Sequence, residues 1–167
     1  IDVTFGLAFA KSQLAAGTRL PQKGTVFLSL SDRDKRLGVL AAERFAALGL
    51  RIVATEGTAD ALVAAGIPVD RIVPKLDEGT GSDAVSLISS GQIDLVVNSP
   101  RGRGARADGA HIRAAAGRHG VALLTTGAAG LAAANGMTDW SNHRHAVRTL
   151  QELHRGDSTA GGDQLAL

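Results

Sequence analysis

Two threonines and a glycine form the clearest candidate binding turn in the sequence. The segment Thr55-Glu56-Gly57-Thr58 follows an apolar run typical of a β-strand and precedes a predicted helix. Glycine lets a backbone approach a ligand closely, and the free N–H groups and positive dipole end of a helix start suit a phosphate. The turn therefore suits an anion site. For the turn taken alone, the simpler interpretation is that Thr58 only caps the helix.

Two of the four lysines also lie at the ends of predicted strands. Lys35 follows the predicted strand 25–30, and Lys75 follows the predicted strand 71–73. A lysine ammonium is a compact, flexible partner for a phosphate. Each lysine taken alone is more simply a solvated surface charge. Their coincidence with the threonine turn favours phosphate binding.

Residue types suited to catalysis are sparse. The chain has no Cys, which excludes thiolate nucleophiles, disulfides and thiolate zinc sites and fits a reducing compartment. His143 and His145 are two positions apart, so they lie on different helix faces and form no helical metal pair. Acids near predicted strand ends could supply a general base, although capping and solvation are simpler roles: Asp32, Asp34, Glu56, Asp77 and Glu78. We predict no catalytic residue and no metal.

Two nucleic-acid-like features have simpler interpretations. Gly102-Arg103-Gly104 lacks the strand-to-helix context of a dinucleotide fingerprint, and no P-loop is present. The Arg-rich segment 101–120, from Arg101 to Arg118, has a local charge of +4 and could bind a nucleotide, RNA or an acidic partner. A solvated loop before a charged helix is the simpler interpretation, and five aromatic residues are too few to stack bases. We predict no nucleic-acid partner.

The elements that must position these residues follow a regular pattern. The 167 residues are 44% hydrophobic, and no apolar stretch approaches the length of a membrane helix, so we expect no membrane partner. The lack of Cys fits the cytoplasmic location that we expect. Apolar strands alternate with amphipathic helices, which predicts an α/β fold, a three-layer sandwich around a mostly parallel sheet of about five strands. The predicted strands are 25–30, 50–54, 71–73, 93–98 and 121–124, and the predicted helices are 4–16, 34–48, 58–65, 82–90, 107–118, 128–134 and 142–154.

The chain resembles the C-terminal end of the carbamoyl phosphate synthase large subunit over nearly its whole length. The resemblance rests on the order and spacing of TFGLAFAKSQLAAG (4–17), FLSLSDRDK (27–35), ATEGTA (54–59), VPKLDEG (73–79), IDLVVNSPRG (93–102) and LLTTGAAG (123–130). It implies that residues 1–20 are the tail of a preceding ATP-grasp synthetase domain and that residues 21–154 are a regulatory domain with the methylglyoxal synthase-like fold. We expect a disordered tail at 155–167. The start at Ile and the lack of a leader suggest a fragment.

The resemblance also implies a function. The parent enzyme makes carbamoyl phosphate from bicarbonate, glutamine and ATP, using Mg and K, for arginine and pyrimidine biosynthesis. Its regulatory domain has no cofactor, binds UMP or IMP, and helps to hold ornithine at the border with a synthetase domain. The implied partners are the chain's own synthetase domains, a small glutaminase subunit and further copies of the enzyme in an oligomer.

Site residues follow from the matching strings. The resemblance places Lys35, Thr55, Gly57, Thr58 and Lys75 around the nucleotide phosphate, with Asn98 toward the ribose and base and Thr125 at the ornithine border. Two positions depart from the family pattern. Pro100 stands where the family often has Thr, and Leu124 stands where some members have Asp.

A lyase of the methylglyoxal synthase type, acting on dihydroxyacetone phosphate, is the alternative function. It needs a general-base carboxylate and a neighbouring His. The corresponding segment, Gly79 to Asp83, has its Asp shifted in register, and the family's Pro-His-Asp segment is replaced by an Arg- and Gly-rich one. These departures favour the regulatory domain. An RNA-binding module that uses the Arg cluster ranks last.

Overall fold

Helices and strands alternate along the chain in the computed structural model, which describes residues 2–74, 84–99, 107–142 and 151. The strands are β1 (Thr25–Ser29), β2 (Arg51–Thr55), β3 (Arg71–Val73), β4 (Leu95–Asn98) and β5 (Ala122–Leu124). The helices are α1 (Phe5–Ala15), α2 (Asp32–Ala47), α3 (Glu56–Ala64), α4 (Ala84–Ser89), α5 (Ala107–Arg118) and α6 (Gly127–Asn142). This alternation agrees with the predicted α/β class.

The five strands form one parallel sheet in the order β3-β2-β1-β4-β5. The chain runs outward from the central strand β1 to β3 and then crosses back over β1 to β4 and β5. Such a reversal opens a crevice at the carboxyl ends of the two strands where it occurs, here β1 and β4. The predicted sheet of about five parallel strands is therefore confirmed.

Each central strand is buried on both faces, because helices cover both sides of the sheet. Val26 and Leu28 of β1 pack in one core cluster with residues of α2, α3 and α6. Phe27 points the other way and packs with residues of α4 and α5. The alternating side chains thus produce the three layers that the sequence predicts.

Helix α1 lies against α6, where two glycines allow a close approach. A Cβ added at Gly6 would stand 2.8 Å from the Gly136 nitrogen, closer than real Cβ atoms come. The Thr4 hydroxyl also bonds the Asp139 carboxylate at 2.6 Å. Whether residues 1–20 belong to a preceding domain stays a prediction.

Helix α6 is longer than predicted. The sequence pattern gives a helix over 128–134, whereas α6 runs from Gly127 to Asn142 and contains Gly136 in its interior. A glycine inside a helix usually weakens it, but Gly136 permits the close contact with α1. The predicted helix over 142–154 and the tail at 155–167 lie outside the described residues, apart from Asn142 and the helical Gln151.

Candidate functional site at the carboxyl ends of the strands

Two predicted site residues, Thr55 and Asn98, lie at the carboxyl edge of the sheet because their strands flank β1. Ser29 at the end of β1 pairs with Asn98 at the end of β4. On the other side of β1, Leu28 pairs with Ala54, the residue before Thr55. Thr55 and Asn98 therefore end the two strands that flank β1, which places both at the carboxyl edge of the sheet, with Asn98 beside the crevice between β1 and β4.

The threonine turn begins helix α3, and its two hydroxyls face the protein. Thr55 is the N-cap residue of α3, without a side-chain capping bond, so the interpretation of Thr58 as the cap is wrong. Thr58 is fully buried, and its Oγ1 accepts a hydrogen bond from the Leu30 amide at 2.9 Å. The Thr55 hydroxyl donates to the same oxygen at 3.2 Å. The threonine side chains thus tie the start of α3 to the end of β1.

The backbone at the start of α3 supplies the donors that an anion needs. Glu56, Gly57 and Thr58 occupy the first helical turn, where the geometry of an α-helix provides no intrahelical acceptor for the N–H groups. Gly57 is half-buried and has no Cβ to obstruct the approach of a ligand. This turn has the donor arrangement and dipole end of an anion site.

Lys35 lies in the first turn of α2 and carries its charge at the same edge. Its Nζ lies 2.8 Å from Oδ1 of Asp32, one turn earlier on the helix. The Lys35 side chain is 29% exposed and that of Asp32 is 90% exposed. Ion pairs this open to water contribute about 0–1 kcal/mol, so the ammonium can exchange Asp32 for a stronger anion.

Of the remaining predicted site residues, the structure describes Asn98 and Thr125 but not Lys75. Lys75 and Pro100 lie outside the described residues, and β3 ends just before Lys75, at Val73. Asn98 is buried, and its Oδ1 accepts a long hydrogen bond of 3.4 Å from Nη1 of Arg113 on α5. Thr125 is exposed between β5 and α6. In the Arg-rich segment, Arg101, Arg103 and Arg106 also lie outside the described residues.

A hydrogen-bonded cluster of Ser31, Asp34, Ser99 and Gly127 was not singled out from the sequence. The Ser99 hydroxyl accepts a hydrogen bond from the Ser31 amide at 2.8 Å. The Ser31 hydroxyl donates to Oδ2 of Asp34 at 2.9 Å, and the Gly127 amide donates to Oδ1 at 2.9 Å. The Ser-x-x-Asp spacing resembles a capping box and is the signal that could have revealed half of it.

The electrostatics of this cluster favour a charged Asp34. Partial burial acts to raise the pKa of Asp34, but hydrogen bonds from the Gly127 amide, Ser31, Arg33 and Ser99 outweigh it. The pKa of Asp34 is therefore lowered from its ordinary value, because each donor stabilises the carboxylate. Asp34 is a carboxylate at neutral pH.

Two described cavities lie away from this edge. One of about 620 Å³ lies among α1, the end of α2 and α6, with Leu14, Leu48, Met137 and Trp140 in its wall. The other, of about 270 Å³, lies at the opposite edge of the sheet, beside Thr25. No predicted site residue lines either cavity.

The described residues show no metal site and no membrane span. No group of three or more His, Asp or Glu side chains is placed there to hold a metal ion. None of the helices in the same part of the chain is long and apolar enough to cross a bilayer.

A family model matches the central part of this chain. The model of the family described as "MGS-like domain" matches residues 38–125. That range contains every predicted site residue except Lys35, which stands three positions before it. A solved structure titled "Crystal structure of ForH" is 24% identical, covers 72% of this chain and 94% of that one, and has a TM-score of 0.43.

Curated relatives match almost the whole chain. The carbamoyl phosphate synthase large chain of Rubrobacter xylanophilus is 48% identical over 155 residues, which is 92% of this chain and 14% of that protein. The proteins of the same name from Archaeoglobus fulgidus and Mycobacterium tuberculosis are each 43% identical, over 155 and 160 residues. The chain spans 14% of the length of each of these relatives.

Proposed function

The chain belongs to the MGS-like domain family, and from this premise we propose that it is the allosteric domain of a glutamine-hydrolysing carbamoyl phosphate synthase large chain. In this role it binds a nucleoside monophosphate of the UMP or IMP type at the carboxyl edge of the sheet. Occupancy of that site changes the rate of ATP-dependent carbamoyl phosphate synthesis elsewhere in the parent enzyme. The domain itself carries out no chemical step.

The single observation that carries the proposal is the construction of the α3 start. The Thr58 hydroxyl accepts a hydrogen bond from the Leu30 amide, and this bond holds the first turn of α3 against the end of the central strand. The N–H groups of Glu56, Gly57 and Thr58 are fixed in that turn before any ligand arrives. Donors fixed in advance bind a phosphate without an ordering cost.

Charge at this edge also supports a phosphate ligand. Lys35 brings an ammonium to the first turn of α2, directly after the central strand, and Lys75 follows β3 in sequence. A phosphate attracts the ammonium more strongly than the exposed Asp32 carboxylate does, because it carries more charge. We assign Asn98, at the end of β4, to the part of the ligand that lies beyond the phosphate.

The proposal extends to a border role for Thr125. This residue is exposed between β5 and α6, at the same edge of the sheet as the α3 turn. We assign it to the surface where ornithine would be held against a synthetase domain of the parent chain. The synthetase domains, the glutaminase subunit and ATP with its metal ions act in the parent enzyme.

Titration of the 167-residue chain with UMP and with IMP tests the nucleotide site. Lys35→Ala removes the ammonium, and loss of a charge-assisted hydrogen bond of about 1.5–3 kcal/mol weakens affinity about ten- to a hundredfold. Lys23→Ala is the matched control, because Lys23 is an exposed lysine before β1, at the opposite edge of the sheet. We expect its affinity to stay within about twofold of the wild type.

Isothermal titration calorimetry gives both affinities. The proposal is contradicted if the wild type binds neither nucleotide, or if Lys35→Ala binds as tightly as Lys23→Ala.

A further inference from the structure

We propose that Asp34 is a positioning residue that transmits nucleotide occupancy from the α3 turn to the segment Thr125–Gly127 at the start of α6. This inference rests on the proposed function, since it requires a ligand at the α3 turn. Nothing in the family match or in the names of the relatives assigns a role to Asp34. It is carried by an uninterrupted series of short contacts across the carboxyl edge of the sheet.

The first contacts join the α3 turn to the loop after β1. The Thr58 hydroxyl holds the Leu30 amide at 2.9 Å, and Leu30 is directly followed by Ser31. Both Leu30 and Ser31 are buried among close-packed neighbours. A displacement of the α3 turn therefore also displaces this loop.

Ser31 is the branching point of the series. Its amide donates to the Ser99 hydroxyl just beyond β4, and its own hydroxyl donates to Asp34. The Ser99 amide in turn donates to the Ser29 carbonyl at 3.0 Å. The loop after β1 is thereby held to β4 on one side and to α2 on the other.

The last contact reaches α6. The Gly127 amide donates to Oδ1 of Asp34, although the two residues are 93 positions apart in the chain. A Cβ at Gly127 would lie 2.5 Å from the Asp34 carbonyl oxygen and 3.1 Å from the Gly38 nitrogen. The start of α6 is therefore in tight contact with α2, and a shift of Asp34 moves Gly127 and the exposed Thr125 beside it.

The contacts of Asp34 explain why it transmits nucleotide occupancy and does not itself bind the phosphate. Each of its carboxylate oxygens is engaged by a donor from the protein, and its negative charge repels a phosphate. It adjoins Lys35 in sequence, so a movement of the Lys35 backbone on ligand binding reaches Asp34 directly. Coupling of this kind requires that the ligand favour one arrangement of these contacts over another.

The test uses amide NMR signals of the ¹⁵N-labelled 167-residue chain, with UMP and IMP added separately to saturation. In the wild type we expect the Gly127 amide signal to shift on nucleotide binding. In Asp34→Asn and Asp34→Ala we expect nucleotide affinity to stay within about threefold, whereas the Gly127 shift falls by more than about half. Asp34→Asn preserves the shape of the side chain and serves if the alanine variant does not fold.

Asp94→Asn is the matched control. The Asp94 carboxylate accepts a hydrogen bond from the Thr25 amide at 2.7 Å. This is the same type of contact as that between Asp34 and the Gly127 amide, but it lies at the opposite edge of the sheet. We expect this variant to keep the Gly127 response of the wild type.

The possible outcomes separate this inference from the proposed function. If the wild type binds a nucleotide but Gly127 does not respond, or if it responds equally in both Asp34 variants, the role of Asp34 is overturned and the nucleotide site stands. Loss of nucleotide binding in a folded Asp34→Asn overturns it too, because Asp34 would then belong to the binding site. If the wild type binds neither nucleotide, the proposed function fails, and this inference fails with it.

Discussion

The hydroxyl of Thr58 accepts a hydrogen bond from the backbone amide of Leu30 over 2.9 Å, which joins the first turn of α3 to the end of the central strand. Both groups are buried, so neither can turn to water if its partner is lost. An unsatisfied buried amide is costly. The contact therefore stabilises the fold and fixes the geometry of the candidate phosphate site.

Replacement of Thr58 by valine tests this contact. Valine has nearly the shape of threonine but no acceptor for the Leu30 amide, so we expect the free energy of unfolding to fall by about 1–3 kcal/mol. Urea unfolding followed by circular dichroism measures the change. Thr58→Ser retains the hydroxyl and loses only a methyl group, which costs about 1 kcal/mol. Equal stability of Thr58→Val and the wild type would contradict the role of this hydroxyl.

The lowered pKa of Asp34 makes stability depend on pH. A carboxyl whose folded pKa is depressed stabilises the native state above its unfolded value, and this contribution is lost as pH falls through the folded pKa. We therefore expect Asp34→Asn to be less stable than the wild type at pH 7, by about 1–2 kcal/mol. The difference narrows as the solution is acidified below the ordinary value of 3.8.

Urea midpoints at pH 7 and at an acidic pH below 3.8, where the unfolded state binds the proton, measure this dependence. A stability difference between Asp34→Asn and the wild type that is the same at both pH values would show that the charge of Asp34 contributes nothing.

The glycine contact between α1 and α6 predicts a reversal of the usual effect of alanine in a helix. Gly136→Ala places a Cβ against the Gly6 carbonyl oxygen, so we expect the free energy of unfolding to fall by about 1–3 kcal/mol. Gly117→Ala in α5 is the matched control, since a Cβ there meets nothing within 4 Å. It gains up to about 1 kcal/mol from helix propensity.

Chemical denaturation of both variants compares them directly. If Gly136→Ala were as stable as Gly117→Ala, the prediction that α1 and α6 pack too closely for a Cβ at Gly136 would be wrong.

The chain is expected to form no methylglyoxal from dihydroxyacetone phosphate. The lyases that share the predicted fold need a general-base carboxylate and a His, and the segment Gly79 to Asp83 departs from their pattern. A colorimetric assay for methylglyoxal checks this, with a methylglyoxal synthase as the positive control. Turnover above background would favour the lyase over the regulatory domain.

The sequence by itself determined the class of fold and the edge of the sheet where the candidate site residues lie. The predicted strand 121–124 is a continuous apolar run, and such runs are typical of a parallel sheet that is covered on both faces. Parallel strands bring their carboxyl ends to one edge, so Thr55 and Asn98 fall at the same edge of the sheet whatever the strand order. The helix starts at Asp32 and Glu56 differ by two residues from the predicted ones, because capping residues mark a boundary only approximately.

Only the tertiary structure decided which side chains hold the site together. Thr58 and Leu30 are 28 positions apart, and Asp34 and Gly127 are 93 apart, so no local pattern connects them. Asn and Gly commonly end helices, yet Asn135-Gly136 lies within α6, where Gly136 packs against Gly6. Local spacing specifies helices and strands through backbone propensity, whereas contacts between distant segments depend on how the finished layers pack. The sequence therefore predicted where a phosphate would bind, and the packed structure showed that the threonines support the turn and that Asp34 connects it to α6.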